Sequence, residues 1–559
     1  MPTNMTPYSV VTIPTTIHVP DYLQNALMLE QPPLPITMTY LLELGQRLLV
    51  AKQAHVEMQN MNPGRKMQVP DKLNFEDVAV TLLSLYTFRN IQMTDRAGDT
   101  ILAMYVETNE SKKKGTYDPN TRRVFEIMER LAPTFKNKDM QDVLDKIERS
   151  APTVEQTKER HLFIVNNGIY DQRTQQLVPF SPGYVYLTKI PVDYAKDPIN
   201  PKITAPDGYE WDVESWLHEL ANHEDDTAML IWQVIADCLQ PHYSRHKSIW
   251  FYSEKGNNGK GTIGQLIKNL LGRGNYASLS VSDFNHEFLK ETLLGVGANI
   301  SDENDVDVFI DSIKDYKASV TGDDININRK YEKPLRIQFL GTNIQMMNGL
   351  PKTKDKSDSF YRRLILVPFL KSFTNNGERK YIKNDYIHRI DVLQYVLHKV
   401  INMMFDEYTV PASSARLLES YKEKNNPVLE FWNELKDEFQ WDLLPTQFLY
   451  DLFDKWFEIN NPSGKIMSKR SFSDALTAVI NNAGDPWVDK TGQNDKVRTN
   501  TGQANARMDK DEPLISEYGL DLPNKGGKLT QWASNYRGQD PVKKRAFKRR
   551  ETYRGYLRL

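Results

Sequence analysis

The sequence predicts a multi-domain α/β protein with a mostly helical N-terminal domain, an α/β phosphate-loop core and a smaller C-terminal domain. Three observations predict it. Apolar residues recur at helical spacing between Thr37 and Glu148, as in YLLELGQRLLVAKQAHVEM (Tyr40 to Met58) and FEDVAVTLLSLYTF (Phe75 to Phe88). A strand-like run, SIWFYSE, leads through a glycine-rich turn into the helical IGQLIKNLLG, which is how an α/β nucleotide-binding domain opens. Beyond PASSARLLESYKEKNNP, a new amphipathic stretch begins at VLEFWNEL. With 559 residues, at about 150 per domain, three or four domains are expected. The boundaries read as 1–150 (helical accessory domain), 151–245 (α/β connecting domain), 246–410 (α/β core) and 411–559 (C-terminal domain with a basic tail).

The first 20 residues are rich in Pro and Thr and read as extended. The helical region closes with MQDVLDKIERS and Pro152. From His161 the texture changes to short β-rich runs separated by NNG and SPG turns. The helical DDTAMLIWQVIADCLQ then leads into the core, which runs to VPFLKSF and is followed by the helical RIDVLQYVLHKVINMMFDEY.

Composition narrows the class. Hydrophobic residues make up 40% and charged residues 26%, which excludes wholesale disorder. Lys and Arg number 71 against 73 Asp and Glu, so a globally basic coat protein is excluded, though a local basic patch is not. The one cysteine, Cys238, excludes an internal disulfide and a multi-cysteine zinc site, and its apolar helix predicts core. No run reaches the roughly 18 apolar residues of a membrane span, so no membrane partner and a cytoplasmic location are expected.

Residues 254–262 read EKGNNGKGT. Gly256, Asn257, Asn258, Gly259, Lys260, Gly261 and Thr262 suit an ATP phosphate loop. Glycines let backbone N–H groups approach phosphate oxygens, Lys260 reaches the β and γ oxygens, and the next helix points its N-terminus at the anion. Two departures from G-x-x-x-x-G-K-[ST] stand out. Glu254 occupies the first glycine position, and Gly261 follows the lysine, so Thr262 becomes the candidate Mg²⁺ hydroxyl one position late. The alternative is a plain glycine turn with a surface lysine.

Hydrolysis needs carboxylates at the end of a neighbouring buried strand. LLGVGANISDEND supplies Asp302, to hold Mg²⁺ largely through water, and Glu303, to polarise the attacking water. An acidic helix cap is the competing use of these residues. LRIQFLGTNIQ reads as a second apolar strand ending at Asn343, a residue able to sense the γ-phosphate; a turn asparagine is the alternative. SFYRRLILVPF puts Arg362 and Arg363 before another strand, where an arginine can neutralise phosphoryl-transfer charge across a subunit boundary or sit in a surface ion pair.

This ordered set resembles the superfamily-three helicases, AAA+ ATPases of small replicons, and within them the poxvirus-type and satellite-phage primase–helicase C-terminal group. The stretches that carry it are NNGIYDQRTQQLVPFSP, GNNGKGT, SIKDYKASVTGDDININRKYEKP, LGTN and SFYRRLILVPF. The segment from VLEFWNEL to SFSDAL resembles that group's winged-helix appendix. More narrowly, the chain is similar to replication proteins of staphylococcal pathogenicity islands and cassette chromosome elements. The likeness covers roughly residues 155–500. It implies an AAA+ core, a C-terminal winged helix, and a homo-oligomeric ring, a hexamer. That ring would hydrolyse ATP with Mg²⁺ at subunit interfaces and unwind single-stranded, forked or origin DNA for a mobile genetic element. It also implies that Arg362 or Arg363 acts on a neighbour's ATP. A separate primase or single-strand-binding protein is a further implied partner.

TGDDININRKYEKPLRIQF reads as a hairpin with a basic turn. In the resembled family such a hairpin projects into the ring channel, which nominates Lys330, then Arg329 and Lys333, for DNA contact rather than a merely solvated tip. In the C-terminal domain, TQFLYDLFDKWFEIN is a core helix. SKRSFSDALTAVI begins with Ser468 as N-cap and carries Lys469 and Arg470 in its first turn, as a recognition helix or a plain surface helix would. The tail interleaves aromatics with Lys543, Lys544, Arg545, Lys548, Arg549 and Arg550, a pattern suited to nucleic acid.

His218 and His223 lie five apart, not the four a zinc-protease helix needs, and read as polar surface. Residues 1–150 show no paired-aspartate strand with a partnering His, so no primase activity is expected. Two readings compete with an ATP-driven replicative helicase. One is an origin-binding AAA+ ATPase that loads another helicase without unwinding. The other is a remodelling or packaging ATPase with a different polymer substrate.

Overall fold

A computed structural model describes residues 19–28, 32–33, 35–62, 64, 66–108, 112–302, 304, 309–310, 312–329, 333–373, 378–460, 466–483, 486–489, 507–508, 510–522, 532 and 553–558. The chain forms two compact units, 1–418 and 419–559.

The first unit opens with helices α1 (Asp21–Met28), α2 (Met38–Asn60) and α3 (Phe75–Leu85). Strands β1 (Phe88–Gln92), β2 (Thr100–Tyr105) and β3 (Tyr117–Asp118) follow, then α4 (Thr121–Leu131), α5 (Asn137–Ser150) and β4 (Thr153–Val154). Leu41, Leu44 and Leu48 of α2 pack with Val78 and Leu82 of α3 and Val143 and Ile147 of α5. Asn74 and Asp77 form a capping box at α3, and the buried Asp77 accepts from Lys52 Nζ at 2.6 Å and Tyr22 Oη at 2.7 Å, which offsets the cost of burying its charge. The sequence predicts mainly helix here; the structure adds a sheet of order β3-β2-β1-β4. FRNIQ and TILAMY are runs of five and six residues, too short for periodicity to separate strand from helix.

Strands β5 (Leu162–Val165), β6 (Gly168–Asp171) and β7 (Gln176–Val178) make an antiparallel meander, and β8 (Ile203–Thr204) with β9 (Glu210–Trp211) a hairpin. Helices α6 (Val213–Leu220) and α7 (Asp225–Cys238) lead into the core. Its elements are β10 (Ser248–Tyr252), α8 (Lys260–Leu271), β11 (Tyr276–Ala277), β12 (Ala298–Ser301), β13 (Phe309–Ile310) and α9 (Lys314–Thr321). They continue with β14 (Asp324–Ile327), β15 (Leu335–Gln338), β16 (Thr342–Met347), β17 (Lys352–Thr353) and α10 (Asp358–Tyr361). β18 (Leu364–Pro368), α11 (Lys380–Asn384) and α12 (Ile390–Ile401) close it. Five strands form one parallel sheet of order β11-β12-β16-β10-β18. Ile249, Trp250 and Phe251 are fully buried, the continuous apolar run expected of a parallel strand. α7, α8 and α12 pack on the sheet through Ile231, Ile235, Ile263, Ile267, Val396 and Val400. The chain leaves β10 for the far edge strand β11, so the strand order reverses beside β10. Parallel sheets open a ligand crevice at the carboxyl ends of strands at such a point. Cys238 is fully buried, as its helix predicts.

The boundary between units falls within α13 (Ala412–Asn425). The second unit then holds α14 (Pro427–Leu435), β19 (Leu443–Pro445), α15 (Thr446–Asn460), α16 (Lys469–Ala483), β20 (Trp487–Asp489) and β21 (Gly555–Arg558), with sheet order β19-β21-β20. Phe448, Leu452, Phe453 and Trp456 of α15 and Phe472, Leu476 and Ile480 of α16 share one core, the faces that helical spacing predicts. Among the described residues, no helix is long and apolar enough to cross a membrane.

Candidate nucleotide-binding site

β10 delivers the loop 253–259 to the N-terminus of α8. Two residues take left-handed backbone conformations, Asn257 at φ 53° and Gly259 at φ 87°. A Cβ on Gly259 would also overlap Leu220, so glycine is required there twice over. The loop is held from inside. Ser253 Oγ donates to Lys255 O at 2.9 Å, Asn258 Nδ2 donates to the same carbonyl, and Asn258 Oδ1 accepts from Lys260 N at 3.3 Å.

Lys260 is 6% exposed. Its ammonium donates to Asn348 Oδ1 at 2.8 Å and Met347 O at 3.2 Å, at the carboxyl end of β16. Burial pulls its pKa down to about 8. A buried ammonium held only by neutral oxygens is an anion site waiting for charge. It opens on a cavity of about 480 Å³ lined by residues 256–262, Trp216, Leu220, Asn348, Phe373 and the 378–384 segment, a size that suits a cofactor or nucleotide.

Thr262 lines this cavity. Asp302 follows β12 at the same end of the sheet. Its Oδ1 lies 3.6 Å from where a Cβ on Gly264 would sit, and its Oδ2 pairs with Lys268, one turn further along α8. The Thr262 hydroxyl and the Asp302 carboxylate are both hard oxygen donors of the kind Mg²⁺ takes alongside water and phosphate, but only Thr262 lines the cavity; Asp302 lies beside the first turns of α8, paired with Lys268. Glu303 lies outside the described residues.

Asn343 is not at this site. The sequence predicts a strand ending there; instead β15 ends at Gln338 and β16 begins at Thr342. Asn343 pairs with Ser248 at the start of β10, about 13 Å along the strand from Met347. It is 1% exposed and consumed by structure: Nδ2 donates to Ser319 O and Oγ at 3.3 Å, and Oδ1 accepts from Asn299 Nδ2 at 3.3 Å. Two apolar runs, IQF and IQMM, flank GTN, and the second is the one that enters the central sheet. The polar residue at its carboxyl end is Asn348, which the sequence reading missed although it directly follows IQMM.

Arg362 and Arg363 stand at the amino end of β18, opposite the cavity. Arg362 is exposed and its carbonyl accepts from Lys247 Nζ at 2.5 Å. The Arg363 guanidinium donates to Ser359 O. Neither lies in this chain's own cavity.

The expected hairpin is β14–β15, antiparallel from Asp324↔Gln338 to Ile327↔Leu335. Arg329 and Lys333 flank its turn, with Lys333 exposed; Lys330 lies outside the described residues. The hairpin base is anchored on the turn between β1 and β2: Gln338 N donates to Met93 O at 3.1 Å, Arg96 meets Asp324 at 3.4 Å, and Arg336 meets Asp99 at 3.5 Å. In the second unit, Ser468 Oγ accepts from Ser471 N at 3.2 Å at the start of α16, Lys469 donates to Gln447 Oε1, and Arg470 is exposed. Lys543, Lys544, Arg545, Lys548, Arg549 and Arg550 lie outside the described residues.

Three segments match known families. Residues 92–222 match a family described as D5 N terminal like, 251–363 a family of unknown function, DUF5906, and 423–509 a family described as Poxvirus D5 protein-like. The two D5-like matches support the D5-like primase–helicase grouping that the resemblance implies, in a multi-domain α/β protein with a parallel sheet. No curated protein matches the chain. Among solved structures, an apo form of the NrS-1 C terminal region is 12% identical over 74% of this chain and 86% of that one, at a TM-score of 0.38. Two further apo structures of that region are 11% and 12% identical at TM-scores of 0.37 and 0.38, covering 70% and 71% of this chain and 82% and 85% of theirs.

Proposed function

We propose that this chain is an ATP-driven replicative DNA helicase and initiator of a mobile genetic element, built on an AAA+ core of the superfamily-three kind with a C-terminal winged helix. The observation that carries it is the buried Lys260 ammonium, held between strand ends at the mouth of a nucleotide-sized cavity behind a glycine-rich loop. The triphosphate takes the ammonium, the loop N–H groups and the N-terminus of α8. Thr262 and Asp302 would hold Mg²⁺, which supplies charge neutralisation on the phosphate oxygens. Glu303 polarises the attacking water. Asn348, which Lys260 holds at the strand end, replaces Asn343 as the residue that reports the γ-phosphate.

Arg362 and Arg363 stand away from the chain's own cavity, which suits action on a neighbour in a ring, a hexamer. Arg329, Lys330 and Lys333 are the grip on DNA in the channel. The opening order helix–strand–helix–helix–strand in the second unit, with a short helix Pro513–Glu517 before the final strand, favours a winged helix, with Lys469 and Arg470 at the start of its recognition helix and the basic tail on phosphates.

Strand displacement on forked DNA tests this. Wild type should unwind with ATP, Lys260→Ala should neither hydrolyse nor unwind, and Lys330→Ala should hydrolyse without unwinding. A wild type that hydrolyses ATP and binds DNA but never separates strands is instead an origin-binding loader.

A further inference from the structure

The departure at Gly261 has a counterpart across the cavity. Where the standard loop carries a hydroxyl after the lysine, this chain has no side chain. α11 returns from β18 to line the same cavity and brings Lys383 to that spot. Lys383 Nζ lies 3.9 Å from where a Cβ on Gly261 would sit, with Gly261 one residue from Lys260. Lys383 is exposed to the cavity side, and no ion pair holds its ammonium among the described residues. The neighbouring charges are mostly committed. Arg379 meets Asp207 at 3.5 Å and stacks on Tyr209 at 3.7 Å, and Glu219 is paired with Lys371 at 2.5 Å. Lys380 and Glu378 also line the wall, so it holds four cationic side chains against two carboxylates.

We propose that Lys383 is a second phosphate-binding lysine, reaching from α11 of the same chain over the glycine step at 261 to the anionic end of a nucleoside triphosphate. The inference rests on the nucleotide reading of the cavity. The two lysines approach from different sides: Lys260 from beneath, buried at the sheet, and Lys383 from the solvent-facing wall. A Cβ at 261 would lie at ordinary contact distance from the Lys383 ammonium, so that ammonium stands directly beside the first turn of α8. Phosphate oxygens are the ligands that both ammonium groups and the loop N–H groups share.

The test is equilibrium binding of a fluorescent ATP analogue and its adenosine counterpart to the full chain. Lys383→Ala should weaken the triphosphate about ten-fold, the scale of one charge-assisted contact, and leave adenosine binding unchanged; Lys383→Arg should recover most of the loss. Because Lys383 is exposed, the variants should melt with wild type. Wild-type triphosphate affinity in Lys383→Ala overturns the proposal, as does an equal loss for adenosine. If wild type binds no triphosphate, or Lys260→Ala binds it as tightly, the nucleotide reading itself has failed.

Discussion

On the proposed reading, in which Lys260 meets the phosphates, nucleotide affinity should fall steeply above pH 8. Burial lowers the Lys260 pKa in the free protein to about 8. A bound triphosphate favours the charged form, so binding selects the protonated population. Apparent affinity then scales with that fraction, which drops from about three quarters at pH 7.5 to about 3% at pH 9.5, a weakening of roughly twenty-fold. The assay is titration of a fluorescent ATP analogue across this range, where the triphosphate itself is already mostly ionised and gains charge only slightly. Lys260→Arg supplies the control: its guanidinium stays charged, so its profile should be flat even if its affinity is lower. A flat wild-type profile, or the same fall in Lys260→Arg, would refute the reasoning.

Asn348→Ala should slow ATP turnover by on the order of ten- to a hundred-fold with the fold intact, whereas Asn343→Ala should cost about 2 kcal/mol of stability by removing the buried bonds to Asn299 and Ser319, while Asn299 keeps those to Leu279, and leave turnover per folded molecule unchanged; steady-state kinetics beside thermal melts separate them. In the second unit, Glu512 is 4% exposed and accepts from Gln440 N at 2.9 Å and Trp441 N at 3.1 Å. Its pKa is raised by burial from 4.5 to about 7, so the folded unit binds an extra proton between those values. That contribution, about 3 kcal/mol at most, is present below pH 4.5 and lost as pH rises through 7; denaturant unfolding at pH 5 and 8 should show it, and Glu512→Gln should abolish the difference. Asp237 accepts from Thr342 Oγ1 at 2.6 Å and Tyr408 Oη at 2.5 Å and pairs with the buried Arg245. Asp237→Ala strands that guanidinium and should destabilise by about 3–5 kcal/mol in chemical denaturation.

The glycine-rich turn between β10 and α8 was legible because its pattern is local. Seven consecutive residues carry the glycines, the lysine and the hydroxyl, and a strand and a helix flank them within one stretch of chain. The placement of Asp302 just after a buried strand was legible for the same reason, an apolar run ending in acid. The faces of α15 and α16 followed from helical spacing alone, since Phe448, Leu452, Phe472 and Leu476 point one way whatever they meet. The sheet of β1 and β2 was not, because five- and six-residue runs carry too few turns of either period.

Tertiary structure decided what local pattern leaves open. Two apolar runs flank GTN, and only pairing with β10 and β12 selects the second for the central sheet. That choice puts Asn348, not Asn343, beside Lys260 at the carboxyl end of the strand and buries Asn343 in structural hydrogen bonds. Trp216, Phe373 and Lys383 come to the cavity from segments 44 residues before and 113 and 123 residues after Lys260. No spacing rule links them, because it is the folding of α6 and α11 about the sheet that brings them together. Local order in the chain was enough to place a glycine-rich turn and Lys260 between a strand and a helix; the three-dimensional packing settled which other side chains share the cavity, because burial and proximity are properties of the assembled sheet and not of the chain's order.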